Sequence, residues 1–461
     1  MTEAEKLASF VVKASYDDLS GAARQAIKVR VLDALGCAIG AMDGTPTQTI
    51  RSLIDEFGGA PKCTLIGGGR TAPDRAAFYN SSLIRYLDFN DSYLAKSETC
   101  HPSDNLGAIL AGIEYSRKNS RDLMTSLAVA YQVQCRLSDV APVRDKGFDH
   151  TVQGAYAIAA GLSKSLGLNV NRAANAIAIC GTAFNALRVT RTGALSNWKG
   201  LAYPELAFSA TLATFLAMRG ITGPPEVFEG NKGFMDSIAG KFHIDWAKEN
   251  LERITRTIVK KYNAEIHSQS AIEAILELKN ECHFSADDVR QIDVEIFKVA
   301  YNIIGGGDEG DKTVVRTKEQ ADHSLPYILG VAILDNQVMP EQYSPERIIQ
   351  EDVQTLLRKI HIQPNEEFSR RFPDEIPCRI TVTLQSGKTL VKSKNDYEGF
   401  YTRPMSWETA THKFERLCKG YADADIQKEI VSAVSELDHI EVSELINPLS
   451  KVDNNEFNSA S

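Results

Sequence analysis

The chain of 461 residues contains no Cys-x-x-Cys pair. Its eight cysteines, Cys37, Cys63, Cys100, Cys135, Cys180, Cys282, Cys378 and Cys418, are scattered, several of them inside apolar helical patterns. That spacing gives no support to a zinc or iron–sulfur site and suits buried free thiols in a reducing compartment. Basic runs are missing too, and a net charge of −9 argues against a nucleic-acid partner. The amino-terminal MTEAEKLASF lacks the basic region and apolar stretch of a secretory signal. No apolar run reads as long enough to span a bilayer. The expectation from these absences is a cytoplasmic protein with no metal, no cofactor and no membrane or nucleic-acid partner. Neither G-x-G-x-x-G nor a P-loop occurs, so Gly67-Gly68-Gly69 reads as a turn sooner than as an anion cradle. Internal repeats are absent.

Hydrophobic residues make up 43% and charged residues 24%, as in an ordinary globular protein, and the length calls for two or three domains. Residues 1–255 read as helical. Ile27, Val31, Leu35, Ala38 and Ile39 fall on one face of a helix over residues 20–42, where Gly36 and Gly40 predict close packing against another helix. Pro73 opens a helix towards Tyr86. Further helices are expected over 123–137, 151–166, 171–187 and 205–218, the last apolar almost all round and therefore buried.

Residues 256–397 read as a smaller α+β unit. It holds a helix over 265–278, an alternating strand over 289–300 and helices over 327–334 and 345–359. Segments 378–384 and 389–392 flank Gln385-Ser386-Gly387-Lys388 as a hairpin. Residues 398–455 are helical again and are expected to rejoin the first domain, with 456–461 a polar, frayed tail. The fold class is therefore mainly α, a large all-helical domain from both chain ends with a smaller α+β insertion.

The stretch that concentrates chemistry is YLDFNDSYLAKSETCHPSDNLGAIL, from Tyr86 to Leu110. Asp88 and Asp91 flank Asn90, and His101 follows before Pro102, Ser103 and Asp104. Ser103 has the character of an N-cap for the apolar pattern from Leu106, and Asp104 suits a first helical turn. Pro102 keeps His101 extended, in a loop at a helix mouth near two acids. Two readings share this pattern: acid/base chemistry, or turn and capping residues around a surface histidine.

Four more clusters stand out. His150 ends Gly147-Phe148-Asp149-His150 before a helix. Arg188 and Arg191 lead to Ser196-Asn197-Trp198-Lys199-Gly200. Lys260 and Lys261 begin a run through Glu265 and His267 to Gln269, and Asp322-His323-Ser324-Leu325-Pro326-Tyr327 lies further on. Each has a plain alternative as a solvated charge, a helix cap or a satisfied polar residue.

Together AAFYNSSLIRYLDFND, HPSDNLGAILA, SNWKGLA, AEIHSQSAIEA and DHSLPY resemble the MmgE/PrpD family, in its order and over roughly residues 32–404. The family's best-known activity is 2-methylcitrate dehydratase, and it also contains cis-aconitate decarboxylases and an iminodisuccinate epimerase. The resemblance implies a helical domain, an inserted lid domain, an active site in the cleft between them, a homodimer and no metal. By motif, Asp88, Asp91 and His101 match its acidic and histidine positions, and Lys199 its active-site lysine. Lys260 and the neighbouring Lys261 match the lid-edge lysine region, Tyr327 a lid tyrosine, and His150, by shifted flanks, the first-domain histidine. Decarboxylase members tend to carry His where this chain has Glu265, so the segment resembles the dehydratase form. The 195–205 region departs from the Lys-Ser-Trp-Ala-Ala-Gly of well-known 2-methylcitrate dehydratases.

These matches imply a carbon–oxygen lyase acting on a small tricarboxylate, 2-methylcitrate foremost, in propionate metabolism. A decarboxylase making itaconate, or an epimerase, is the alternative on the same scaffold. His101 leads as the proton-transfer residue, oriented by Asp88 or Asp91, with His150, Lys199 and Tyr327 as further catalytic candidates. Arg188, Arg191, Lys260, Lys261 and Arg403 supply cations for carboxylates, and Glu265 and His267 complete the binding set.

Overall fold

A computed structural model describes residues 1–193, 195–308 and 310–453, so the expected tail at 456–461 lies outside the described residues. The chain divides into two units. Unit 1 takes Met1–Arg191, Asn197–Val259 and the chain from Ser406, and unit 2 takes Thr192–Ser196 and Lys260–Met405. The breaks therefore fall after Val259 and Met405, not at 255 and 397, and a short strip at 192–196 groups with unit 2. Local hydrogen bonds explain both shifts. Thr257 and Ile258 are tied into unit 1 by Arg30 and Ser92, whereas Glu398 and Arg403 are tied into unit 2 by Glu273.

Unit 1 is mainly helical. Helices Pro73–Tyr86, Leu106–Ser116, Ser120–Val140, Thr151–Ser165, Val170–Ala183 and Trp198–Met218 pack on one another around an Ala- and Gly-rich core. It is not all-helical as expected: two antiparallel pairs interrupt it, β1 (Cys63–Thr64) with β2 (Arg70–Thr71) and β3 (Tyr93–Leu94) with β4 (Thr99–Cys100). Gly67, Gly68 and Gly69 form the β1–β2 turn, all with positive φ that favours glycine. Helix Gly21–Ile39 starts on Ser20, whose side chain accepts from the Ala23 amide. A Cβ on Gly36 would lie 3.2 Å from the Phe414 backbone, which is why glycine stands there. The partner helix, Trp407–Cys418, comes from the carboxy-terminal segment.

Two expectations about length are corrected here. Helix Val170–Ala183 stops at Ala183, before the expected 187. The expected 205–218 helix begins seven residues earlier as Trp198–Met218, running through Pro204, and at 21 residues it is long and apolar enough to cross a membrane by length and composition. Here it packs against helices Pro73–Tyr86, Thr151–Ser165 and Val170–Ala183, with 61% of its apolar window buried. Lys199 and Glu205 had hidden its full extent in the sequence. Cys282 is exposed; the other seven cysteines are buried thiols.

Unit 2 holds a four-stranded sheet in the order β6-β5-β7-β8, with β5 Val289–Ile296, β6 Ile360–Pro364, β7 Cys378–Leu384 and β8 Thr389–Lys394. β5 pairs parallel with β6 and antiparallel with β7, and β7–β8 is the expected hairpin. Helices Gln269–Cys282 and Leu325–Asp335 pack with it. β5 ends at Ile296, and the chain turns helical at Lys298–Ile304, so the expected strand was four residues too long. The expected helix over 345–359 is broken into Pro345–Ile348, Glu351–Leu356 and a 3₁₀ turn.

Candidate active site

The loop between helices Pro73–Tyr86 and Leu106–Ser116 carries the densest buried charge in unit 1. Arg85, in the last turn of its helix, puts Nη1 2.7 Å from Asp88 Oδ1 and Nε 3.6 Å from Asp104 Oδ2. Lys199 Nζ lies 3.4 Å from the other Asp88 oxygen. Asp88 is thus held between two cations, and its backbone is left-handed with φ 53°, a conformation costing a non-glycine residue roughly 1 kcal/mol. Asn90 donates to Ser103 Oγ at 2.8 Å and Asp104 Oδ1 at 2.7 Å.

Ser103 is not the expected N-cap. Residues Pro102–Asn105 form a 3₁₀ turn and the helix begins at Leu106, because Ser103 is spent on Asn90 and, through its amide, on Asp91 Oδ1 at 2.9 Å. Asp104 likewise serves Arg85 and Asn90, not a first helical turn.

Asp91 does not orient His101 through its carboxylate, contrary to expectation. Its oxygens accept from the Ser103 amide and, at 2.8 Å, from Tyr131 Oη, and burial pushes its carboxyl above the usual range. Asp88 is committed to Arg85 and Lys199. His101 is instead held at Nδ1, 2.9 Å from the Asp91 carbonyl and 3.0 Å from Ser92 Oγ. A carbonyl oxygen can only accept, so Nδ1 carries hydrogen, and Nε2 is the nitrogen of the neutral ring that can accept a proton. The residue is buried, not a surface histidine.

The histidine–carboxylate pair belongs to His150. Its Nδ1 lies 3.1 Å from Asp149 Oδ1, and its buried Nε2 has no hydrogen-bond partner among the described residues. Burial pulls the imidazole down to about 4 despite Asp149, so His150 is neutral at pH 7. Asp149, which burial alone would raise, is held well below its usual range by Arg191 and His150. The His101 and His150 rings meet edge to face with centroids 5.5 Å apart, and Tyr203 stacks on His150 at 6.5 Å.

Arg191 is not a spare cation. It bonds Asp149 Oδ2 at 2.8 Å and the Lys199 carbonyl at 2.7 Å, fixing the helix start that carries Lys199. The guanidinium of Arg188 makes no hydrogen bond or ion pair among the described residues. Burial and then neighbouring Arg144 lower its pKa.

Asp149 and Arg85 had no role in the sequence reading, and Asp104 only that of a first-turn residue. Asp149 directly precedes His150, and Arg85 stands one turn before Asp88, so adjacency and i,i+3 spacing were the available signals. Burial pushes the Asp104 carboxyl up to about 7, against the pull of Arg85 and Asn90. A folded value above the unfolded one means the folded state holds this proton across the window from about pH 4 to 7. The stability it contributes is complete below that window and lost as pH rises through 7. Asp104→Asn is therefore expected to melt higher than the parent by several degrees at pH 8, with the gap closing towards pH 4, as read by thermal denaturation across pH.

Unit 2 has its own cluster. Lys260 is buried, and Glu265 takes His267 with both oxygens, Nδ1 at 2.6 Å and the backbone amide at 2.8 Å. Burial would raise Glu265, but His267, His323 and Lys260 hold it at about 2. It is ionised, so it cannot serve as a neutral donor to a leaving hydroxyl. His267 Nε2 is buried without a partner among the described residues, and its ring lies against Phe297 and Phe372.

Three expected site residues are otherwise engaged. Lys261 pairs with Glu398 at 2.9 Å and Glu273 at 3.5 Å, and Arg403 pairs with Glu273 and Asp396. Tyr327 is in the core, its hydroxyl donating to the Gln342 carbonyl and its pKa raised by burial. These acids and that carbonyl consume what a substrate would need.

Unit 1 thus brings two histidine rings edge to face among buried arginine, lysine and aspartate side chains. Residues 5–247 match the MmgE/PrpD N-terminal domain and residues 262–439 the MmgE/PrpD C-terminal domain. The chain belongs to the MmgE/PrpD family. It is similar to the mitochondrial 2-methylcitrate dehydratase of Yarrowia lipolytica, 24% identical over 94% of this chain and 88% of that one. It also resembles the alkylcitrate dehydratase of a fungal species, at 27% identity over 85% and 83% of the two chains. The cis-aconitate decarboxylase of Mus musculus is 23% identical over 83% of this chain and 79% of its own.

Proposed function

We propose that the protein is a dehydratase of a small tricarboxylate, with 2-methylcitrate converted to 2-methyl-cis-aconitate. The observation that carries this reading is the edge-to-face His101–His150 pair in the unit whose buried charges include Lys199, Arg85 and Asp88. His101 Nε2 takes the proton from the carbon α to a carboxylate, and that C–H electron pair becomes the new C=C bond. The C–O bond of the adjacent carbon breaks, and the departing hydroxide takes a proton from the Lys199 ammonium to leave as water. His101 then carries the positive charge. Neutral His150 beside it adds no repulsion, and the Asp91 carbonyl accepts from its Nδ1. His101 and Lys199 exchange protons with water to restore the starting state.

Arg188 is assigned to a substrate carboxylate because its guanidinium has no competing acid bonded to it, and Arg can meet a carboxylate with two parallel hydrogen bonds. The protein's own groups handle both protons, so a metal ion has no task in this scheme. Relatives named as 2-methylcitrate and alkylcitrate dehydratases support dehydration. Glu265 gives no further support, since its ionised form cannot donate. A homodimer goes with this reading, supported by exposed Leu212 and Leu216 on helix Trp198–Met218.

Ligand binding tests the pocket apart from turnover. With 2-methylcitrate or citrate in excess, mass action should raise the melting temperature. Arg188→Met should abolish most of that rise. An equal rise in the variant would remove Arg188 from the site, and no rise in the parent would remove the tricarboxylate.

A further inference from the structure

Five consecutive residues, Asp88 to Ser92, hold the groups that meet Lys199 and His101, and one of them is left-handed. Two further supports of this segment trace back to one helix. Arg30 and Asp33 stand one turn apart on Gly21–Ile39, both buried. Arg30 donates from Nε to Thr257 Oγ at 2.7 Å and from Nη2 to the Thr257 carbonyl at 2.6 Å. The next residue, Ile258, exchanges two backbone hydrogen bonds of 2.8 Å with Ser92. Asp33 Oδ1 lies 2.6 Å from Lys413 Nζ, which comes from the carboxy-terminal helix Trp407–Cys418. Lys413 donates at 2.8 Å to the Phe89 carbonyl and sits 3.5 Å from the centre of the Phe89 ring. One end of the segment is thus fixed through Arg30 and the other through Asp33 and Lys413.

We propose that Asp33 and Lys413 are positioning residues that hold the Asp88–Ser92 segment in register with His101. A buried ion pair is a poor means of adding stability, because desolvating two charges offsets most of their attraction. What this pair supplies is direction. It gives the Phe89 carbonyl a fixed donor immediately after left-handed Asp88, and so resists relaxation of that residue into an ordinary conformation. Asp88 turns its carboxylate to Lys199, while the Asp91 carbonyl and Ser92 hydroxyl hold His101 Nδ1. A shift of the Phe89 carbonyl would move all three contacts together.

The kinetic half of the test rests on the dehydratase reading; a spectroscopic half does not. The neutral pair Asp33→Asn with Lys413→Met removes both charges and leaves no lone buried ion. It is expected to fold, with kcat for 2-methylcitrate lowered by roughly 10²-fold and KM little changed, since neither residue is assigned a substrate contact. Lys413→Arg keeps a cation and a donor, and should recover most of the lost kcat. It also serves if the neutral pair fails to fold, since a near-parental rate with Arg and a large loss in Lys413→Gln would carry the same result. Imidazole ¹H–¹⁵N spectra read His101 without any turnover. Its Nδ1 resonance, assigned by its loss in His101→Ala, should shift in the charge-removing variants and return towards the parental position in Lys413→Arg. If the parent turns over no tricarboxylate but the resonance moves as stated, the positioning role stands and the dehydratase reading falls. A folded variant with parental kcat, or an unmoved His101 resonance, overturns the positioning role.

Discussion

Replacing His101 by alanine is expected to lower kcat for 2-methylcitrate by roughly 10²–10⁴-fold. The argument rests on Nδ1, which the Asp91 carbonyl and Ser92 hydroxyl fix, leaving Nε2 as the nitrogen that exchanges a proton. Truncation also leaves those buried groups short of a partner, which costs about 1–3 kcal/mol. The variant should therefore melt lower than the parent yet remain folded at assay temperature. The kinetic loss must appear in protein whose circular dichroism is native. Near-parental turnover would move the proton transfer elsewhere, with His150 the next residue to test.

Lys199→Met is the second large effect. Methionine keeps much of the aliphatic stem and loses the ammonium that lies 3.4 Å from Asp88. Asp88 remains compensated by Arg85 at 2.7 Å, so no buried carboxylate is stranded and the fold should survive. Loss of the group that neutralises the departing hydroxide should cut kcat/KM by roughly 10²–10³-fold. The loss should fall mainly on kcat if Lys199 acts on the leaving group, and on KM if it merely binds a carboxylate. Unchanged kinetics would make the Asp88–Lys199 pair a structural link.

Helices were legible where apolar residues recur with the helical period, as along Ile27, Val31 and Leu35, and where a cap such as Ser20 marks the start. The close approach at Gly36 was legible because a missing side chain has few other uses in a helix. Ser103 misled because its capping character was satisfied sideways, by Asn90 and Asp91, in contacts that no local pattern encodes. β6 was missed because Ile360–Pro364 follows directly on a helical-looking stretch and gains strand character only from pairing with β5. In the site, residue types and their neighbourhood could be read, but not partners. The carboxylate that faces a site histidine in unit 1 is Asp149, next to His150, and not Asp88 or Asp91. Glu265 was readable as a member of the binding set, but its charge is fixed by a pairing with His267 that the sequence does not encode. Lys261, Arg403 and Tyr327 looked free in sequence because Glu273, Glu398 and the Gln342 carbonyl are remote in the chain.

The mouse cis-aconitate decarboxylase is matched at an identity close to that of the Yarrowia lipolytica dehydratase, so the bond that breaks is the central question. Product analysis with 2-methylcitrate, citrate and cis-aconitate, each offered separately to EDTA-treated protein, answers it most directly. The account predicts loss of water from 2-methylcitrate, and more slowly from citrate, to give the unsaturated tricarboxylate with no release of CO₂. Rapid CO₂ release and itaconate from cis-aconitate, or activity that vanishes on chelation and returns with iron, would contradict it.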